Sequence, residues 1–370
     1  MQKDLPLKMK HIIICVTTDL ESDQRVHRTS LALFEAGYSV LLVGRYLSSS
    51  KPLKRVYKTF RFRMIFRKSF LFYAAYNIRL FFFLLFRKFD IVVSNDLDTL
   101  PACKSVSSLF NKKLVFDSHE LFTEVPELID RHRVKNFWLS LEKKLIPKID
   151  AGITVCESIA EIYKEKYNID FQVIRNVPII NTVYQETPPV HNRIIYQGAV
   201  NKGRGIELMI QALQYLPEMQ LYIIGIGDIL HNVKQLAIDL NVHNRVIFTG
   251  RLDFEKLKEI TQTGIVGLSI EEDMGLNYRY ALPNKLFDYI HAGIPVITSN
   301  LPEMARIINT WQVGEILYER TPQKLAELII QVQNNRISGI YNEKLKIATQ
   351  SLNWDIEKNK LLSIFAKLNQ

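Results

Sequence analysis

The sequence predicts an α/β protein built from two doubly wound, Rossmann-like domains, and three observations carry that prediction. At 370 residues the chain is longer than one hydrophobic core usually serves, so two domains are the default. Short apolar runs alternate with helix-length amphipathic stretches in both halves, as in HIIICVTT, then QRVHRTSLALFEA, then VLLVG. The apolar runs are continuous rather than every second residue, which marks strands covered on both faces and therefore parallel sheets. A hydrophobic content of 47% with 23% charged residues is that of a folded chain and argues against disorder.

Taken in order, HIIICVTT (11–18) is a buried strand, a helix runs from about Gln24 to Ala36, Gly37 stops it, and VLLVG is the second strand. The first turn carries no G-x-G-x-x-G, so it is not of the dinucleotide-binding kind. DIVVSNDLDTLPA (90–102) is a strand leading into an acidic loop. Asp96 and Asp98 lie at its carboxyl end, the edge where α/β sheets hold ligands. KLVFDSHELFTE (113–124) repeats the arrangement, with Asp117, Ser118, His119 and Glu120 in the turn. A basic helical stretch over 137–145, the strand AGITVCES, a helix over 158–166 and the strand FQVI complete a first domain. The polar, proline-bearing NTVYQETPPVHN (181–192) reads as a linker. Domains are thus expected over 1–180 and 181–350, with a terminal segment over 351–370.

The second half restarts with the strand RIIYQG and a helix opening near Gly205. MQLYIIGIGDI, VIFTGRL and GIVGLSI supply strands, with the helix FEKLKEI among them. In ALPNKLFDYIHAGIPVI (281–297), Pro283 and Asn284 open a helix, Gly293 closes it and IPVI enters a strand. The strand EILYE, a helix over 322–334 and the apolar-faced SLNWDIEKNKLLSIFAKL end the chain.

The mouth of the helix at Asn284 concentrates the chemistry. Its unpaired N–H groups suit a phosphate, and Lys285 adds a full charge at the same end. Asp288, one turn further, can accept hydrogen bonds from a sugar diol. Gly198, Gly225 and Gly227 let backbone approach a ligand, and Lys202 and Arg204 bring charge to the first glycine loop. A diphosphate clamp beside a ribose acceptor points to a nucleotide-sugar site. In the first half, His119 sits between carboxylates that can orient and tune an imidazole; a purely structural histidine is the other reading. No second histidine stands at ligand spacing, which argues against a metal site.

PNKLFDY resembles the donor-site helix of glycosyltransferase family 4, the retaining GT-B enzymes, in the subgroup that reads PNKLFEY here. DQRVHR, DSHE, the 198–205 loop and the terminal helix resemble the same family in the same order, so the resemblance covers nearly the whole chain. It implies two domains facing across a cleft, with the terminal helix crossing back to the first. It also implies sugar transfer from a UDP- or GDP-sugar to a hydroxyl acceptor, with retention and with no metal or other cofactor. His119 would line the cleft beside the donor sugar, with Glu120 next to it. Arg204, where the family has a lysine, and Lys285 would contact the diphosphate, and Gly198, Gly227, Asn284 and Asp288 would complete the donor site. Arg25 and Asp96 would face the acceptor; Arg25 and Arg28 either hold an acceptor phosphate or simply line a helix surface. Ala199 stands where the family has an arginine, and Tyr280 where a glutamate touches the donor sugar, which leaves the sugar open. A nucleotide-sugar epimerase of the same fold and a non-catalytic nucleotide-sugar-binding scaffold are the alternatives.

The net charge of +10 is unevenly placed: residues 51–90 hold eleven Lys and Arg against one acid, Asp90. FLFYAAYNIRLFFFLLF within that window is too short to span a bilayer and contains Asn77 and Arg79. It reads either as a surface for anionic lipid or as a buried helix beside a solvated basic loop. Nucleic acid is not an expected partner, since no recognition motif accompanies the charge. Three scattered cysteines (Cys15, Cys103, Cys156) give no disulfide or metal pattern and fit a reducing cytoplasm. HIIICV is too short for a signal-peptide core, so a cytoplasmic protein, peripheral on the inner membrane face, is expected. A lipid-linked or cell-surface glycan acceptor and polysaccharide or glycolipid synthesis follow from the family association.

Overall fold

A computed structural model describes residues 9–180 and 192–368, apart from positions 22, 49, 68, 126, 127, 129 and 130. The expected linker therefore lies almost wholly outside the described residues. The chain divides into two units, one running through Arg175 and resuming at Glu357, the other spanning Asn176–Ile356.

The first unit comprises β1 (His11–Asp19), α1 (Gln24–Glu35), β2 (Ser39–Tyr46), β3 (Lys58–Arg63), α2 (Ser69–Leu85) and β4 (Ile91–Asn95). It continues with α3 (Leu100–Leu109), β5 (Lys113–Ser118), α4 (His132–Leu145), β6 (Ala151–Thr154), α5 (Glu157–Tyr167) and β7 (Phe171–Val173). The second begins with β8 (Arg193–Gln197), α6 (Ile206–Ala212), β9 (Gln220–Ile224), α7 (Leu230–Asp239), β10 (Val246–Gly250), α8 (Phe254–Gln262) and β11 (Val266–Ser269). It proceeds through α9 (Leu276–Arg279), α10 (Asn284–His291), β12 (Val296–Ser299), α11 (Pro302–Trp311), β13 (Gly314–Leu317), α12 (Pro322–Ile337) and α13 (Asn342–Ser351). The last helix, α14 (Trp354–Lys367), belongs from Glu357 onward to the first unit.

The first sheet runs β3-β2-β1-β4-β5-β6-β7 and the second β10-β9-β8-β11-β12-β13, with parallel pairing throughout. Both units are thus doubly wound, as the sequence predicts. In each, the order reverses beside the first strand, and the crevice at the carboxyl ends of β1 and β4, or β8 and β11, is where such a sheet takes ligands.

Local chemistry sets the ends of the helices that reach these crevices. The Asp23 carboxylate accepts the Val26 N–H and starts α1, and Gly37 follows its end at φ +90°. Pro283 precedes α10, and Gly293 turns the chain away at φ +71°. α10 buries Leu286, Phe287, Tyr289 and Ile290, and the Tyr289 ring lies flat on β11. A Cβ at Gly267 would come within 2.4 Å of that ring, so only glycine permits the contact. The Tyr289 hydroxyl accepts the Gln197 N–H (3.0 Å) and donates to the Leu268 carbonyl (3.3 Å). One phenol therefore ties α10 to both strands at the crevice and fixes what α10 presents there.

The final helix is anchored by polar contacts at its first turns. Glu357 accepts the Arg175 N–H (3.1 Å), Lys358 pairs with Glu35 at 2.5 Å, and Phe365 packs edge-on against Tyr38. Trp354 is buried and its N–H donates to the Pro178 carbonyl, a packing role. In the 51–90 window, α2 buries only the stripe Phe72, Tyr76, Leu80 and Leu84. The buried-helix reading of that window therefore holds for one side of α2 alone. Among the described residues no helix is long and apolar enough to cross a membrane.

Candidate functional site

In the second unit the loop after β11 places Glu271 at the crevice, and it is fully buried. Lys285, in the first turn of α10, brings its Nζ to 2.7 Å from Glu271 Oε1, and Arg204 Nη1 lies 3.7 Å from the same oxygen. Ser269 donates to the other carboxylate oxygen (2.9 Å). Burial pushes the Glu271 carboxyl up, but Lys285 and Arg204 more than offset it, and it stays below the ordinary carboxylate value. Burial lowers the Lys285 ammonium, and Glu271 offsets only part of that. Each cation also rests on a ring: Lys285 Nζ is 4.3 Å from the centre of Tyr196, and the Arg204 guanidinium 5.0 Å from that of Tyr278. Two cations and one anion leave a net positive charge at a helix N-terminus, an arrangement that attracts phosphate.

The glycine loops frame this cluster. Gly198 lies beside Lys285, with Nζ 3.7 Å from where its Cβ would be, and its N–H donates to the Ile224 carbonyl. A Cβ at Gly225 would sit 1.8 Å from the Gly198 carbonyl oxygen, and one at Gly227 2.1 Å from that of Val200. These glycines let the loops after β8 and β9 pack on each other, a requirement that stands apart from any approach to a ligand. Asn284 is exposed at the mouth of α10. Asp288 accepts from Gln197 Nε2 (2.8 Å), and Gln197 in turn accepts from Thr261. Asp288 and Gln197 line a pocket whose walls include Phe254, Leu257 and Ile179. Lys202 is exposed.

In the first unit, the crevice holds the opposite pattern. Asp96 adopts a left-handed backbone (φ +59°), its N–H donates to the Asp117 carbonyl, and its carboxylate accepts the His119 N–H at 2.9 Å. The imidazole lies between two carboxylates, Nδ1 3.5 Å from Asp96 and Nε2 3.4 Å from Asp117. Burial disfavours its charge, but the two carboxylates prevail and raise its pKa to about 9. Asp117 is held below the ordinary range because Arg25 and His119 outweigh its burial. Asp98, which accepts from Thr17, is pushed up to about 7 by burial and by the charge on Asp96.

Arg25, expected at the acceptor, is instead buried, and it is committed to Asp117 (2.7 and 3.3 Å) and to the Ile174 carbonyl (2.7 Å). It orients Asp117 rather than offering its fork to a phosphate. The carboxylates against the imidazole are those of Asp96 and Asp117, while Glu120 is exposed. Sequence reasoning missed Glu271, because one of three successive acids in EEDMG reads as solvated loop, and Gln197, because strand-end amides carry no motif. An acid just past a strand end, at the switch point, was the available signal for Glu271.

Residues 23–178 match the family described as Glycosyltransferase Family 4, and residues 185–351 match Glycosyl transferases group 1. The chain belongs to the family 4-like glycosyltransferases. An uncharacterized glycosyltransferase of Methanocaldococcus jannaschii is 23% identical over 265 residues, 69% of this chain and 60% of that protein. The chain thus spans about three fifths of that relative's length. In fold, this glycosyltransferase is similar to sucrose-phosphate synthase from Thermosynechococcus elongatus (TM-score 0.81, 18% identity, 97% and 99% of the two chains). It is likewise similar to Anabaena HepE in complex with UDP and glucose (TM-score 0.72, 12% identity, 97% and 100%). Both similarities are of GT-B architecture.

Proposed function

We propose that this glycosyltransferase moves a sugar from a nucleoside-diphosphate sugar to a hydroxyl acceptor, with retention of configuration and without a divalent cation. The observation that carries the reading is the convergence of Arg204 and Lys285 on one buried carboxylate at the mouth of α10. The donor diphosphate takes the outward side of that pair, and preorganised cations of this kind are usually the largest catalytic term. Asp288, steadied by Gln197, holds the ribose, and the base enters the pocket walled by Phe254 and Leu257. The UDP held by the Anabaena protein makes a UDP-sugar the first donor to try.

In the transfer, the acceptor oxygen bonds to the anomeric carbon as the bond to the diphosphate oxygen breaks, and the acceptor proton passes to that departing oxygen. With a pKa near 9 and each ring nitrogen facing a carboxylate, His119 is cationic at neutral pH, so it acts as a fixed positive charge beside the sugar or acceptor rather than as a base. The acceptor we infer, by family association, is a lipid-linked or cell-surface glycan. Thermal-shift screening with nucleoside diphosphates and their sugars, in EDTA, tests the donor half. Stabilisation by UDP or GDP is expected, and none by either would refute it. Incubation with the stabilising sugar nucleotide alone must leave the sugar unaltered, because conversion without acceptor would mark an epimerase.

A further inference from the structure

We propose that the outer face of α2, together with the start of α4, docks this protein on an anionic lipid bilayer. α2 is apolar almost all round, yet only one stripe is buried. Leu71, Ile78 and Phe82, spaced by seven and four residues, form a second stripe on the opposite side, and all three are exposed. Phe86 (82% exposed) extends this stripe past the helix end, Ile65 (90%) and Phe66 extend it before the start, and Phe70 is exposed in the first turn. The Phe70 ring meets Phe137 of α4 at 5.7 Å, and Phe137 and Val134 are exposed in turn, so the patch continues onto a second helix. A contiguous apolar surface of this kind marks an interaction site.

Charge identifies the occupant. Arg63, Arg67, Arg79, Arg87 and Lys88 are exposed around the patch. The single acid of the window, Asp90, is already paired with Lys112 at 3.2 Å. Cations gathered around exposed Phe and Ile, with the one acid of the 51–90 window already paired, match lipid headgroups above acyl chains. Asn77 faces inward, donating to the Asp98 carbonyl (2.7 Å) and accepting the Ala102 N–H (3.1 Å), so its polarity does not interrupt the outer stripe. No described helix is able to span, so the contact lies in the plane of the interface.

Flotation of the full chain with vesicles of equimolar phosphatidylcholine and phosphatidylglycerol, and of phosphatidylcholine alone, tests this independently of any donor. Binding to the anionic vesicles at low salt, weakened at high salt and absent from the neutral ones, is expected. Ile78→Glu with Phe82→Glu should cut the bound fraction about tenfold, and Arg67→Glu with Lys88→Glu should remove the preference for anionic lipid. All four side chains are exposed, so the near-ultraviolet circular dichroism and Tm of both variants should match the parent. No binding at low salt, equal binding by the Ile78/Phe82 variant, or self-association through this face without vesicle binding would each overturn the proposal.

Discussion

The two crevices share one strand order and carry opposite charge patterns. In the second unit a buried carboxylate, Glu271, is held by two cations; in the first a cationic imidazole, His119, is held by two carboxylates. The difference lies in the few residues after each strand, since the sheets themselves are wound alike. Arg204, Lys285 and Glu271 sum to one positive charge, whereas Asp96, Asp117, Arg25 and a protonated His119 sum to zero before Asp98 is counted. The fold therefore fixes where a ligand binds, and loop chemistry fixes its sign. The positive crevice suits a diphosphate; the balanced one suits a neutral sugar hydroxyl.

Removing a cation from the second crevice breaks the comparison most severely. Lys285→Met should lower kcat by about 100-fold or more, measured with whichever donor stabilises the parent, because one preorganised charge is lost. Glu271→Gln removes the anion instead and should destabilise the fold by about 3–5 kcal/mol in urea unfolding, since Lys285 is left buried without its partner. In that variant the Lys285 pKa, already lowered by burial, falls further, so activity should be lost on the alkaline side at a lower pH than in the parent.

The first crevice makes a pH prediction of its own. The His119 pKa is raised on folding, so its contribution is complete below its unfolded value, about 6.5, and is lost as pH rises through about 9. Stability measured across that window should fall by about 2–3 kcal/mol, and His119→Asn should flatten the decline. The smallest effect expected is at the framework: Gly267→Ala pushes on the Tyr289 ring and should cost about 1–3 kcal/mol, shifting α10 and weakening nucleotide binding in a titration.

Most of the strands and helices were legible because a continuous apolar run has few alternatives in a covered parallel sheet; the alternating KTFRFR of β3, inside the basic window, was not. HIIICVTT and the observed His11–Asp19 differ by one residue, and the α10 boundaries follow from proline and glycine chemistry. The short helices α9 and α13 were not legible, because they are polar segments shaped by their neighbours. Site cations were readable from spacing at a helix mouth. Their counter-ion was not, because burial of Glu271 depends on Lys285 folding back from fourteen residues further along. Arg25 misled for the same reason, since only the tertiary approach of Asp117 shows where its fork is used.

The claim that Arg204 and Lys285 form a diphosphate clamp is tested most directly by calorimetric titration of UDP and GDP, in EDTA, against the parent and a Lys285→Met/Arg204→Met double variant. At least one diphosphate should bind the parent, and the double variant should hold it no more tightly than the corresponding nucleoside. A double variant that binds the diphosphate as tightly as the parent would contradict the account.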